Sequence, residues 1–465
     1  MKLIVLGGGP AGLNAAVRAR QLGAEVTLIE RKRLGGTSLN EGAAPVRTLA
    51  RAARLLRDVQ AWPTFGLSGA VPTLDLVATL ANVRRVAHYA HDHKRLDEHV
   101  RSLGVDLVEG AGNARFLDSE VVGTEDGRTW RAERIIIAAG GHARRLSIPG
   151  AELGLVYTDI RHLSTVPRRI AIVGGADTGC QLASILADFG CDVLMLEHAE
   201  RINRRADEEI SRALMDAFVR RGIRVATSAT AERLVSDPPG VELYYRERDH
   251  ARSASVDAIF FAVGWPGNLD GLSLNAAGVK TAGGFIPVND WMQTNIPHIF
   301  AVGDINGRSM LVPSARHEGR IAAENALLGN RQAVSFAVVA TGSFTDPEYG
   351  SVGLTEVQGR AGHDCVVALV RYDEVPRAVI DARTEGFCKL IVDRQSHCVL
   401  GAHVLGEYSA EIIQVAAVCM AASMRIEEFA RIQLAFPTFT EALGMAAQQI
   451  AQKLGMARAF EFREH

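Results

Sequence analysis

Two glycine-rich segments of this chain have the residue types that hold a dinucleotide. The first, G-G-G-P-A-G at residues 7–12, follows an apolar run at 2–6 that predicts a buried strand and precedes an alanine-rich stretch that predicts a helix. In a unit of strand, glycine turn and helix, the glycines make the turn, let a pyrophosphate approach and allow the helix to pack closely on the strand. The amide groups at the helix N-terminus donate hydrogen bonds to the phosphates. A second apolar strand, 24–29, ends at Glu30, whose carboxylate is predicted to accept ribose hydroxyls.

The second segment, G-G-A-D-T-G at residues 174–179, has the same surroundings, and its second strand ends at Glu197. Ala176 replaces the middle glycine, so a methyl group stands where a pyrophosphate comes closest, at a cost of about 1–3 kcal/mol unless the loop shifts. Glu197 suits a ribose 2′-hydroxyl and repels a 2′-phosphate, which favours NADH over NADPH. Three arginines that soften this preference follow closely: Arg201, Arg204 and Arg205.

A third segment, residues 35–47, reads G-G-T-S-L-N-E-G-A-A-P-V-R. It resembles the active-site signature of the pyridine nucleotide-disulfide oxidoreductases, the family of dihydrolipoamide dehydrogenase, glutathione reductase and mercuric reductase. In that family two cysteines of the signature cycle between dithiol and disulfide. Ser38 and Ala43 stand at the two cysteine positions. Because a hydroxyl and a methyl group cannot form a disulfide, the resemblance implies that the second electron relay is absent.

Three further positions depart from the family pattern. Arg47 stands where the signature has a lysine, and Gln181 where a glutamate pairs with that lysine, so we interpret them as a changed pair with a permanent, planar cation. Arg47 near flavin N5 would stabilise an anionic reduced flavin; the alternative is a surface or packing arginine. In the family, a tail motif H-P-T-x-S-E completes the active site of the partner subunit, and its histidine deprotonates and reprotonates the thiols. Here this motif begins with Phe436 and keeps only Glu441. The candidate catalytic residues are therefore Arg47, Ser38 and Glu441.

A downstream motif assigns the first dinucleotide site to FAD. Residues 294–304 resemble the segment T-x-x-x-x-I-F-A-x-G-D, which aims an aspartate at the flavin ribitol in this family. The residues that the resemblance assigns to FAD are Gly7, Gly9, Pro10, Ala11, Gly12, Glu30, Gly36, Thr37, Arg47, Ala114, Ala139, Gly140, Gly303, Asp304, Met310 and Leu311. Those assigned to NAD(P) are Gly174, Ala176, Asp177, Thr178, Gly179, Glu197 and Gly264.

The resemblance covers nearly the whole chain and predicts an α/β protein with two doubly wound, Rossmann-type nucleotide-binding domains and a C-terminal α+β dimerisation domain. We expect an FAD-binding domain at 1–148 and 268–331, an NAD(P)-binding domain at 149–267 and a dimerisation domain at 332–465. The apolar stretch 412–424 is expected to bury at the two-fold axis of a homodimer.

Residues 74–103 predict one helix that carries a group of histidines: His88, His91, His93 and His99. In the family a long helix here approaches the cavity beside the disulfide. One or more of these histidines would then replace the lost acid–base group. A metal site or a solvated helix face are the alternatives.

Composition limits the function further. The net charge of −2 gives no general attraction to nucleic acid or membrane, and no apolar run is long enough for a transmembrane helix. The six cysteines are scattered without metal-ligand spacing, which favours reduced thiols in a cytoplasmic protein without a metal.

The leading hypothesis is an FAD-dependent NAD(P)H oxidoreductase that passes electrons from the reduced flavin directly to a small acceptor such as a quinone. One alternative is a soluble pyridine nucleotide transhydrogenase, in which NADH and NADPH share one site. Another is a flavoprotein without turnover, such as a redox sensor, or a specialised-substrate flavoenzyme with a degenerate nicotinamide site.

Overall fold

The computed structural model describes residues 1–456, so residues 457–465 of the predicted dimerisation domain lie outside the described part. Its N-terminal third contains seven strands and five helices. The strands are β1 (Lys2–Leu6), β2 (Glu25–Glu30), β3 (Asp106–Glu109), β4 (Ala114–Phe116), β5 (Val121–Thr124), β6 (Thr129–Arg131) and β7 (Arg134–Ile137). The helices are α1 (Pro10–Gln21), α2 (Gly36–Asn40), α3 (Ala43–Asp58), α4 (Leu76–Lys94) and α5 (Leu96–Ser102).

The middle of the chain contains a second set of elements. The strands are β8 (Leu155–Val156), β9 (Arg169–Val173), β10 (Asp192–Leu196), β11 (Arg224–Ala226), β12 (Ala229–Asp237), β13 (Gly240–Glu247), β14 (His250–Val256), β15 (Ala258–Phe261) and, further on, β16 (Ile299–Ala301). The helices are α6 (Asp177–Asp188), α7 (Glu208–Arg220) and α8 (Val312–Leu328). A short 3-10 helix, Tyr157–His162, follows β8.

Two parallel five-stranded sheets carry the two glycine segments. The first has the order β16-β7-β1-β2-β3, so a late strand completes a sheet that the N-terminus begins. The second has the order β11-β10-β9-β15-β8. The central strands are buried on both faces, which explains their uninterrupted apolar sequences. Each sheet packs tightly on its first helix, since a Cβ at Gly12 or Gly179 would lie 1.8 Å from the carbonyl oxygen of Gly7 or Gly174.

The C-terminal domain is an antiparallel sheet covered by helices. The strands are β17 (Thr341–Ser343), β18 (Tyr349–Gly353), β19 (Cys365–Arg371), β20 (Phe387–Asp393) and β21 (Val399–Leu405), in the order β17-β18-β21-β20-β19. The helices are α9 (Glu356–Gly362), α10 (Pro376–Ile380), α11 (Ser409–Ala421), α12 (Ile426–Phe429) and α13 (Glu441–Lys453). This arrangement confirms the predicted fold class, with two Rossmann-type units followed by an α+β domain.

The predicted helix over 74–103 is in fact two helices. Arg95 adopts a left-handed backbone with φ of 40°, and its amide donates to the His91 carbonyl oxygen to end α4. The single-helix prediction was therefore wrong at this point, and no glycine or proline marks the break. No helix within residues 1–456 combines the length and apolar character needed to cross a membrane.

Candidate active site

The first glycine segment lies where the strands of the first parallel sheet have their C-terminal ends. Glu30, at the end of β2, is buried, and its two carboxylate oxygens accept hydrogen bonds from the Gly8 amide (2.7 Å) and the Lys32 amide (2.8 Å). Gly9 caps α1, and a Cβ built on it meets only the Gly36 Cα, at 3.7 Å. The helix N-terminus therefore faces open space, as the close approach of a pyrophosphate requires.

A second carboxylate lies at the same edge of this sheet. Asp304 follows β16, and its Oδ2 accepts a hydrogen bond of 2.9 Å from Trp265 Nε1. Burial raises the pKa of Asp304. With Glu30 at one strand end and Asp304 at another, the edge offers two acceptors for sugar hydroxyls and an open helix N-terminus between strands. These residues fit an FAD molecule, which has two polyol groups joined by a pyrophosphate.

The remaining residues assigned to FAD border the same region. Pro10 and Ala11 begin α1, Gly36 and Thr37 begin α2, Ala139 and Gly140 follow β7, Met310 and Leu311 precede α8, and Ala114 begins β4. The Asn268 side chain holds the turn after β7, because its Nδ2 donates to the Ala139 carbonyl oxygen at 2.8 Å. Their binding of the cofactor stays a prediction.

The second glycine segment repeats this geometry with one methyl group added. Ala176 caps α6 with φ −84° and ψ −173°, close to the −73° and −175° of Gly9. Its methyl group therefore projects where the Gly9 site is open. Glu197 is buried, and its oxygens accept from the Gly175 amide (2.6 Å) and the Ala199 amide (2.8 Å). The other residues assigned to this site, Gly174, Asp177, Thr178, Gly179 and Gly264, lie at the ends of β9 and β15 or in the first turn of α6.

The signature segment contains no thiol. Ser38 lies in α2, and its Oγ donates to the Gly35 carbonyl oxygen at 3.2 Å, while Ala43 is exposed at the start of α3. The six cysteines are all free and lie elsewhere in the described chain: Cys180, Cys191, Cys365, Cys388, Cys398 and Cys419. The hydroxyl of Ser38 is thus a helix-internal hydrogen-bond donor.

Arg47 has a different partner from the one expected from sequence. Arg47 is exposed in the single described chain, and its guanidinium carbon lies 3.0 Å from the centroid of the Phe344 ring. Partial desolvation by neighbouring groups lowers its pKa to about 10 despite Glu348 nearby. Arg47 is therefore still a cation at neutral pH. The Gln181 amide donates to the Asp177 carbonyl oxygen at 3.3 Å. The two side chains thus have separate partners in this structure, and the changed pair stays a prediction.

One histidine of α4 reaches the signature segment. His91 is buried, and its Nε2 lies 2.6 Å from Asn40 Oδ1, two residues after Ser38. Burial lowers the pKa of His91, with a further contribution from Arg33, so the neutral ring donates this hydrogen bond. His93 instead stacks on the exposed ring of Tyr89. Within residues 1–456 no three His, Cys, Asp or Glu side chains come together as metal ligands.

The tail residues lie in the C-terminal domain. Phe436 is 72% exposed, and Glu441 begins α13. Burial raises the pKa of the Glu441 carboxyl, and its Oε2 has no hydrogen-bond partner among the residues that the structure describes. No hydrogen bond or ion pair within residues 1–456 joins Glu441 to the signature segment. The role that the resemblance implies for Glu441 in the active site of a partner subunit stays a prediction.

Sequence reasoning did not single out Trp265 or Tyr157. Trp265 immediately follows Gly264, and that adjacency was the only sequence signal for it. Tyr157 lies in the 3-10 helix after β8, and the centroid of its ring is 5.5 Å from that of Trp265. Neither residue belongs to a glycine or signature motif.

Two adjoining dinucleotide edges beside a signature helix define a flavin- and nicotinamide-dependent oxidoreductase. Residues 1–319 match the family model described as pyridine nucleotide-disulphide oxidoreductase, and residues 339–447 match its dimerisation domain. The chain belongs to this family, whose members bind FAD and NAD(P). This confirms the resemblance found in the sequence.

Individual relatives agree with this assignment. The chain is 33% identical to a dihydrolipoyl dehydrogenase from Zymomonas mobilis, covering 95% of this chain and 96% of the relative. It is 30% identical to a mercuric reductase from Lysinibacillus sphaericus, covering 96% and 82%. Among solved structures, the HOCl-induced flavoprotein disulfide reductase RclA from Escherichia coli has a TM-score of 0.84 at 25% identity, covering 96% and 99%. LpdA from Mycobacterium tuberculosis has a TM-score of 0.88 at 24% identity, covering 97% and 99%, which shows a shared fold.

Proposed function

We propose that this protein is an FAD-dependent NADH oxidoreductase that works without a redox disulfide and reduces a small acceptor such as a quinone. The observation that carries the proposal is the signature segment itself. Ser38 and Ala43 occupy the two thiol positions, and all six cysteines lie outside residues 35–47. FAD, when bound, takes two electrons from a nicotinamide and returns one or two at a time.

The buried carboxylate of Glu197 supports NADH as the donor. It is fixed by two backbone amides at the end of β10, where a ribose 2′-hydroxyl is bound in such units and a 2′-phosphate is repelled. Arg201 does not weaken the preference for NADH over NADPH, because its guanidinium already donates to the carbonyl oxygens of Arg204 and Ala206.

The tail supports an acceptor other than a disulfide. A disulfide substrate needs a base to deprotonate and reprotonate thiols, and Phe436 offers no titratable group. A quinone, a dye or oxygen needs no thiol. The absence of both cysteines and of the tail histidine is consistent with a single change, from a disulfide to an acceptor that needs no thiol.

A second candidate is a flavoprotein without turnover. Ala176 favours it, since its methyl group stands where the corresponding Gly9 site is open. The two candidates differ in whether NADH reduces the bound flavin.

Steady-state turnover with NADH and tetramethyl-1,4-benzoquinone tests the proposal. We expect the holoenzyme to reduce the quinone at least about a hundredfold faster than the same concentration of free FAD, because both substrates are held against one cofactor. Lipoamide and glutathione disulfide serve as controls and are not reduced. A rate equal to that of free FAD would remove the proposed function.

A further inference from the structure

The 3-10 helix Tyr157–His162 lies against the signature segment through two side chains. Arg161 Nη1 donates to the Asn40 carbonyl oxygen at 2.9 Å. The Tyr157 hydroxyl lies against Gly42, since a Cβ on Gly42 would be 3.0 Å from the Tyr157 Oη. The phenol therefore lies beside the residue that precedes Ala43, one of the two lost thiol positions.

Tyr157 also connects the two dinucleotide edges. Its ring is tilted by 46° against that of Trp265, whose indole nitrogen donates to Asp304. Trp265 directly follows Gly264 at the end of the second parallel sheet, whereas Asp304 belongs to the first. The two rings thus form an aromatic corner between the nicotinamide edge, the flavin edge and the signature segment.

The hydroxyl of Tyr157 is the one donor of this corner that is not already used within the described residues. Trp265 donates its one polar hydrogen to Asp304, but the Tyr157 hydroxyl has no hydrogen-bond partner among the described residues. Burial raises the pKa of Tyr157, and the carboxylates of Glu41 and Asp304 raise it further. Tyr157 is half-buried, so its hydroxyl is a protonated donor at neutral pH that is free to donate to an acceptor oxygen of a ligand.

We propose that Tyr157 and Trp265 form the acceptor site, and that its ligand is a flat ring with a carbonyl oxygen, as in a quinone. The rings supply stacking contacts, and the Tyr157 hydroxyl donates a hydrogen bond to the carbonyl oxygen. This rests on the proposed function and names its acceptor site. Overall, NADH, one proton from water and the quinone give NAD+ and the hydroquinone. The hydrogen bond stabilises negative charge as it develops on the carbonyl oxygen.

The test compares two acceptors in the holoenzyme variant Tyr157→Phe. The quinone is tetramethyl-1,4-benzoquinone, and the second acceptor is ferricyanide, which takes single electrons and needs no carbonyl contact. We expect kcat/KM for the quinone to fall about tenfold or more, as for a lost hydrogen bond in the transition state. Ferricyanide reduction and flavin bleaching by NADH stay unchanged, which also shows that the variant is folded. Tyr244→Phe, in β13, is the matched control and changes none of these rates.

Calorimetric binding of the same quinone to the oxidised holoenzyme gives a readout that does not depend on turnover. We expect Tyr157→Phe to raise the Kd severalfold. Equal quinone kinetics and binding in wild type and Tyr157→Phe would overturn the proposal, as would an equal loss with both acceptors. Quinone binding that depends on Tyr157 without turnover would remove the proposed function and leave the site standing.

Discussion

At the scale of single residues, the segments that resemble the family's signature and tail motifs contain neither cysteine nor histidine at the matching positions. Ser38 is held by the Gly35 carbonyl oxygen, Ala43 is an exposed methyl group at a helix start, and Phe436 is an exposed ring. The glycines and carboxylates that suit nucleotides are retained at Gly9, where the space is open, and at Asp304. Under the proposed function, these departures concern the acceptor half of the reaction.

Restoring the cysteines should restore a disulfide but little disulfide reduction. In the double variant Ser38→Cys/Ala43→Cys we expect two extra thiols after NADH reduction, counted with a thiol reagent, and a new long-wavelength flavin band. Glutathione disulfide turnover should remain about a hundredfold or more below that of the triple variant that adds Phe436→His, since acid–base catalysis contributes at least this factor. Equal rates in the two variants would show that Phe436 does not mark the lost base.

A buried acid behind the flavin edge makes stability depend on pH. Glu318 is fully buried in α8, and its Oε2 accepts from the Gly303 amide and from Asn306 Nδ2, both at 2.7 Å. Burial raises the pKa of Glu318 to about 7, and its Oε1 has no partner within the described residues. The folded state thus keeps a proton that the unfolded chain loses near its ordinary pKa of about 4.3. The stability that this proton contributes is lost as pH rises through about 7.

Glu318→Gln should remove this dependence, because the amide oxygen still accepts both hydrogen bonds without ionising. Relative to wild type, the variant should gain about 3 kcal/mol in free energy of unfolding between pH 5 and pH 8, measured with urea. Glu25→Gln, at an exposed position, is the control and should show no such change. An identical difference between variant and wild type at both pH values would contradict the assignment.

At the scale of elements, a buried lysine joins the second parallel unit to the C-terminal domain. Lys389, in β20, is almost fully buried, and its Nζ lies 2.9 Å from Asp207 Oδ1 and 2.6 Å from Glu356 Oε2 and also contacts Glu209. Burial alone would lower the pKa of Lys389, but these carboxylates raise it above its usual value. The ion pairs thus fix α7 against the sheet.

Lys389→Met should leave buried carboxylates without their cation. We expect a loss of about 3–5 kcal/mol in the free energy of unfolding, the usual cost of breaking a buried ion pair from one side. Lys280→Met, at an exposed position, should change it by less than about 0.5 kcal/mol. A loss below about 1 kcal/mol for Lys389→Met in guanidinium unfolding would show that the cluster is not a stabilising junction.

The elements differ in how far sequence predicts them. Glycine segments are predictable because the reason is local: no side chain fits at Gly12 against the Gly7 carbonyl oxygen. The break at Arg95 and the contact of Arg47 with Phe344 depend on tertiary packing and carry no local signal. The same holds for Tyr157 at Gly42, since these residues are more than a hundred positions apart. Sequence therefore predicted the glycine turns and the carboxylates at the strand ends, and it missed the aromatic corner.

At the scale of the whole molecule, the C-terminal domain supports a homodimer. It matches the family's dimerisation domain, and α11 buries Ile412, Ile413 and Ala416 in its own core while Val418 is 65% exposed. The expectation that 412–424 buries at a two-fold axis therefore concerns only the outer face of this helix. Phe436 lies exposed on the same domain. That this tail completes the active site of the partner subunit, as the resemblance implies, stays a prediction.

The proposed function requires that NADH reduces a flavin that has no redox disulfide next to it. An anaerobic titration of the holoenzyme with NADH, followed by flavin absorbance, tests this. We expect about one equivalent of NADH to bleach the flavin absorbance completely, because without a redox disulfide the flavin is the one group that accepts two electrons. We expect no long-wavelength thiolate–flavin band. Consumption of a second equivalent of NADH together with that band would contradict the assignment of Ser38 and Ala43 to the two cysteine positions. An unchanged spectrum with both NADH and NADPH would contradict a working nicotinamide site.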